Sequence, residues 1–167
     1  MFEMSLIYLI GIVIPEGLLF AWAFYTLSQT KINIKRYFLC FIINLSLVYI
    51  VKLLPIDFGV HTLLLIAANI LINIAINKIN VITSIVVTIS VFIIKFICEV
   101  IDFAAISYLF KDNTDYIFSN SIFKVLSAFP SCILFIFFIL LVKFLIKKME
   151  NKKIILSKQI KEMHNSN

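Results

Sequence analysis

Apolar positions in this chain come in long, nearly unbroken runs. The first is Ser5 to Leu27, interrupted by Pro15 and Glu16; the second is Tyr37 to Leu54, with Lys52 near its end. The third, Val60 to Ile76, is short, and the fourth, Val81 to Leu109, is the longest. The fifth is Val125 to Ile146, with Pro130 near its start and Lys143 near its end. About 20 mostly apolar residues carry an α-helix across hydrocarbon. Backbone in hydrocarbon must satisfy its own hydrogen bonds, which makes such runs helices. The period-two alternation of a membrane barrel is absent. The pattern predicts an all-α integral membrane protein: a five-helix transmembrane bundle over residues 1–146. The first run has no basic residue before it and no small-x-small cleavage pattern, so it reads as a retained helix rather than a signal peptide.

From Lys147 to Asn167 the chain turns polar and basic. Met149, Leu156, Ile160 and Met163 fall on a heptad-like seam, with Lys153 where the missing apolar residue would stand. This predicts a short cytoplasmic amphipathic helix over residues 147–167 that continues helix five. Such a segment can lie on anionic lipid. It can equally begin a paired helix, with a second copy of the chain or with a kinase as partner.

Composition changes the picture by exclusion. Hydrophobic residues make up 62% and charged residues 14% of 167 positions, against soluble norms of about half and about a quarter. That leaves too little polar surface for a water-facing exterior, and it is the opposite of a disordered chain. The net charge of +6 would suggest nucleic acid in a soluble protein. Here the bases cluster at the ends of apolar runs, as membrane proteins place them, so the bilayer is the expected partner and nucleic acid is not. Lys31, Lys35 and Arg36 sit between runs one and two, Lys78 after run three, and seven lysines from Lys143 to Lys161 at the end. With five spans these eleven lie on one side, and Lys52, Lys111 and Lys124 on the other. The bias places the N-terminus outside and the C-terminus in the cytoplasm of a multi-pass plasma-membrane protein.

Four charges lie deep inside runs: Glu16 in the first, and Lys95, Glu99 and Asp102 in the fourth. Charges in a span are costly and normally face a bundle interior. Lys95, Glu99 and Asp102 are spaced four and three apart and share a helix face, which Ser84 and Thr88 extend. Depth at about 1.5 Å per residue brings Glu16 within reach of Lys95, so a Glu16–Lys95 pair is expected, with Glu99 sharing the lysine. The cluster can serve as an ion pair fixing helix register, as a cation or proton relay, or as a pocket for a charged ligand. At the outer end the same topology gathers Asp57, His61, Asp102 and Tyr108, a candidate mouth for an extracellular peptide or small ligand. Asn69, Asn73 and Asn77 recur every four residues and Asn44 lies at a similar depth to Asn69; carboxamides of this kind hold helices together in lipid.

Catalysis is not expected. No metalloprotease, nucleophile-elbow, dinucleotide or P-loop motif occurs, and with three glycines a phosphate-cradling loop is excluded. Cys40, Cys98 and Cys132 match no metal or disulfide spacing, so neither metal nor cofactor is expected.

One ordered set of motifs resembles a known family. It consists of an acid in the first helix, a basic first loop, and then Pro55-Ile-Asp-Phe-Gly59-Val60-His61-Thr62 opening a short apolar helix. A helix with an inner Glu99 follows, and the lead-in Phe123-Lys-Val-Leu-Ser-Ala-Phe-Pro130-Ser131 precedes the last span. The order is similar to that of the N-terminal membrane module of clostridial sensor kinases with a GHKL-type ATPase domain, relatives of the peptide-sensing agr-type kinases. The resemblance implies signal reception in a two-component system. The sequence to Asn167 holds no ATP-binding domain, so phosphorylation is not expected of it. The alternative is a small transport or morphogenesis subunit that binds a solute or partner within the bundle, although the glycine-rich helix motifs of such proteins are missing.

Overall fold

The computed structural model describes residues 9–54, 58–109 and 121–165, and these are helical throughout apart from short connections. A π-helical turn, Leu9–Val13, leads into α1, Ile14–Leu27. The wide turn has a local cause. Pro15 has no N–H, so the bond that the Gly11 carbonyl would receive in an α-helix cannot form. α2 spans Ile34–Leu53 and starts at Asn33, whose side chain accepts from the amides of Lys35 (3.1 Å) and Arg36 (3.3 Å). It ends at Leu54, which takes φ −75° and ψ 134°, the extended conformation imposed on a residue before proline. α3 is Phe58–Ala75, α4 is Val81–Leu109, and the turn between them is made by Lys78 at φ 56°. α5 runs from Ser121 to Asn165. The fifth apolar run and the basic tail are therefore one continuous helix of 45 residues, with Pro130 inside it.

Among the described residues, four helices are long and apolar enough to cross a membrane: Ile10–Leu27, Ile34–Val51, Val81–Leu109 and Phe129–Lys152. The apolar part of α3, Gly59–Ala75, is shorter, about 26 Å at 1.5 Å per residue.

Contacts fix the helix directions. Phe20 of α1 stacks on Phe135 of α5 at 5.5 Å between ring centroids. Nine residues on, the Gln29 side chain donates to Glu150 at 3.0 Å. α1 and α5 are thus parallel. Phe20 also meets Phe92 of α4 edge-on at 5.4 Å, while the earlier Glu16 meets the later Lys95, so α4 is antiparallel to α1. The hairpin turn at Lys78 makes α3 antiparallel to α4, and Ser84 of α4 donates to the Ile70 carbonyl of α3.

The bundle has two interiors. α1, α4 and α5 enclose an apolar one around Ala23, Phe24, Leu27, Val87, Val91, Cys98, Phe135 and Ile139. Close approach there depends on Gly11: a Cβ at this position would lie 2.6 Å from Val125 Cγ1. α1, α2, α3 and α4 enclose the other, whose buried residues are largely polar: Tyr25, Asn44, Asn69, Asn73, Asn77, Ser84 and Thr88.

Candidate functional site

The charge cluster forms where α1, α4 and α5 meet. Glu16 lies in the first turn of α1, just past Pro15, and Lys95 lies mid-way along α4. Lys95 Nζ forms an ion pair with Glu16 Oε1, sits 3.3 Å from Glu99 Oε1 and donates to Ser131 Oγ of α5 at 3.5 Å. An ammonium group has three N–H donors, and here there are three acceptors, one from each of the helices α1, α4 and α5. The lysine is held as a saturated cation. That arrangement suits electrostatic bracing, not nucleophilic or proton-abstracting chemistry.

The acids are not equivalent. The Lys95 side chain is only 12% exposed, but that of Glu99 is 57% exposed. The sequence pattern predicts that the whole stripe faces inward, and Glu99 departs from it. Cys98, the residue before it, is fully buried, and one residue is about 100° of helical turn, which sets Glu99 on the edge of the buried face. Asp102 is half-buried one turn further out and forms no ion pair within 4.0 Å among the described residues. Ser84 and Thr88 are fully buried but belong to the other interior.

The proposed outer mouth is described in part. His61 lies in the first turn of α3 and Tyr108 in the last turn of α4. Because these helices are antiparallel, both residues stand at the same end of the bundle, the end towards which Asp102 is displaced from Lys95. Asp57 lies outside the described residues.

The asparagines divide into two kinds. Asn77 Nδ2 donates to Asn73 Oδ1 (2.8 Å) and Asn73 Nδ2 to Thr88 Oγ1 of α4 (3.1 Å). Asn77 Oδ1 accepts from the Tyr25 hydroxyl of α1 (2.6 Å) and from the Cys40 thiol of α2 (3.1 Å). One chain of hydrogen bonds therefore joins all four helices around the second interior. Asn44 and Asn69 instead turn their amides onto their own helices, at the carbonyls of Cys40 (3.1 Å) and Leu65 (2.8 Å). Sequence reasoning missed Tyr25, Cys40 and Ser131 as members of these centres. Tyr25 reads as an interfacial aromatic, and Cys40 and Ser131 carry no signal without their partners.

Among the described residues no group of three or more His, Cys, Asp or Glu side chains could hold a metal ion. No family model, curated protein or solved structure matches the chain.

Proposed function

We propose that the chain is a non-catalytic signal-reception module of a bacterial membrane: five spans, N-terminus outside, C-terminus cytoplasmic. The observation that carries this reading is the course of α5. At Ser131 it takes a hydrogen bond from the charge cluster, and at Glu150 it takes one from Gln29 beyond the end of α1. The two points are about 28 Å apart along one unbroken helix, at 1.5 Å per residue. A rigid element that touches the buried charges at one end and the cytoplasmic edge at the other can pass a rearrangement of the first to the second. The ligand would enter at the outer end, near His61, Asp102 and Tyr108, and shift the pairing of Lys95 between Glu16 and Glu99. The resemblance to the membrane module of GHKL-type sensor kinases supports the same direction of flow. The eleven-to-three distribution of bases supports the orientation.

The test is a distance measurement across the inner end. Spin labels at Lys31→Cys and Asn151→Cys, in a background free of the three native cysteines, report the position of α5 against the α1–α2 connection. Lys95→Met is expected to move the mean distance by about 2 Å or more, the scale of known signalling helix shifts. An unchanged distance distribution would sink the relay.

A further inference from the structure

Every donor along the hydrogen-bond chain of the second interior points the same way. The Tyr25 hydroxyl donates to Asn77 Oδ1 (2.6 Å), Asn77 Nδ2 to Asn73 Oδ1 (2.8 Å) and Asn73 Nδ2 to Thr88 Oγ1 (3.1 Å). The chain starts beside the turn at Lys78 and climbs α3 towards the middle of the bundle. Thr88 is its last link. A threonine hydroxyl has one proton and two lone pairs. The bond from Asn73 uses a lone pair, and the proton has no acceptor among the described residues. Other hydroxyls of the bundle turn back onto their own helices: Ser46 donates to the Ile42 carbonyl at 3.0 Å and Ser90 to the Val86 carbonyl at 2.8 Å. Thr88 does not, although it is fully buried.

One turn further along α3 the opposite deficit occurs. Asn69 is 3% exposed. Its Nδ2 donates to the Leu65 carbonyl at 2.8 Å, and its Oδ1 is a buried acceptor that no donor reaches among the described residues. A buried polar atom left in this state is costly. Asn69 and Asn73 are four residues apart and share a helix face. Asn69 thus stands about 6 Å along the axis from the residue that bonds Thr88. Two hydrogen bonds of about 2.8 Å through one shared oxygen bridge a gap of that order.

We infer that a single water molecule is bound on the seam between α3 and α4, accepting from the Thr88 hydroxyl and donating to Asn69 Oδ1. The two partners dictate the chemistry of the guest. It needs a lone pair for the threonine proton and a proton for the carboxamide oxygen, which is what a hydroxyl group offers. A hard metal cation would find two neutral oxygens where it takes about six, and it would leave the threonine proton unused. An ammonium group would serve Asn69 and not Thr88. Water held by otherwise unsatisfied polar groups is a regular part of protein interiors. Here it extends the run of like-directed bonds from Tyr25 to Asn69. The site lies in the interior that the charge cluster does not share, so it stands or falls apart from the reception reading.

Water-edited solid-state NMR of the full chain tests this. The protein carries isotope-labelled asparagine and threonine and sits in phosphatidylglycerol bilayers, whose headgroups have hydroxyls of their own. The two signals are identified by their loss in Asn69→Leu and Thr88→Val. Magnetisation from water is expected to reach the Asn69 carboxamide and the Thr88 side chain at a mixing time at which the Asn44 carboxamide, which also bonds its own helix, receives none. In Asn69→Leu the transfer to Thr88 is expected to be lost. Absence of transfer to both residues in the unsubstituted chain would overturn the proposal, and that measurement needs no variant. Equal transfer to Asn44 would overturn it by showing general hydration of the interior. Transfer to Thr88 that survives Asn69→Leu would mean that the two groups share no water, which overturns it too. A signal at Asn69 arising from the carbon-bound protons of the headgroup, and not from water, would overturn it by making a lipid group the guest.

Discussion

Glu16 and Lys95 come from helices that are far apart in sequence and antiparallel in space, and they form an ion pair in the part of the bundle where α5 also packs. Glu99 competes for the same ammonium from one turn away on its own helix. The pair is thus a cross-helix tie with a built-in second acceptor. Removing Glu16 leaves Lys95 with a half-exposed carboxylate and a hydroxyl; removing Lys95 leaves two carboxylates facing each other with no base between them.

Single substitutions of this pair should therefore cost more than the double one. An uncompensated charge inside a span costs about 2.5–3.5 kcal/mol on insertion scales. Glu16→Gln or Lys95→Met alone should lower stability by about that amount. The double variant should recover most of the loss. Thermal unfolding in detergent, read as a double-mutant cycle, checks this; strictly additive losses would mean that the two groups do not interact.

The hydrogen-bond chain predicts a ranking among the asparagines. Asn77 bonds Tyr25, Cys40 and Asn73 at once. Asn77→Leu strands a buried hydroxyl and a buried carboxamide oxygen, at about 1–3 kcal/mol for each unsatisfied group. Asn44 and Asn69 bond their own helices, and their leucine variants should lose about 0.6 kcal/mol or less, the average for polar contacts in membrane bundles. If all three variants unfold at the same temperature, the four-helix chain has no energetic role.

The legible part of this protein was the part that hydrocarbon dictates. Run length and interruption locate the helices, because a backbone in lipid has one way to satisfy itself. Helical spacing puts Lys95 and Glu99 one turn apart on related faces, and charge cost marks Glu16 as needing a base; that Ser84 and Thr88 serve the other interior was not legible. Two further things were not legible. The edge position of Glu99 depends on how far α1 reaches beside α4, which spacing within α4 cannot report. The role of Cys40 depends on Asn77 arriving from another helix, and a thiol in an apolar run has no local signature.

Gly11, in the π-helical turn before α1, should be a strongly size-sensitive position. A Cβ there meets Val125 Cγ1 at 2.6 Å, and valine is stiff at its first torsion, so it cannot swing away. Gly11→Ala is expected to destabilise by about 1–3 kcal/mol, as overpacking does. Val125→Ala in the same chain should restore most of that. Gly59→Ala, with nothing within 4 Å of the new methyl, is the neutral comparison. Equal melting temperatures for the Gly11 and Gly59 variants would show that the π-helical turn and α5 are not in this contact.

The five-span proposal requires α3 to cross the membrane, and the directions of its neighbours support it. α2 and α4 both run opposite to α1: Tyr37 of α2 lies tilted against Tyr25 while the later Phe41 lies beside the earlier Gly17, and Phe92 and Lys95 of α4 meet Phe20 and Glu16. Two helices antiparallel to a third are parallel to each other. The chain leaves α2 at one end of the bundle and enters α4 at the other, so the segment between them runs from one end of the bundle to the other. Its apolar part is about 26 Å long against a hydrocarbon core of about 30 Å, a shortfall that local thinning of the bilayer accommodates for fractions of a kcal/mol per ångström. Lys78 should accordingly emerge on the same face as Lys31, with which it shares exposure to water. Single cysteines at Lys31 and Lys78, in the cysteine-free background, should both resist a membrane-impermeant maleimide added to intact cells and both react after the membrane is opened. Labelling of Lys78→Cys but not Lys31→Cys in intact cells would leave α3 on the outer surface and reduce the bundle to four spans.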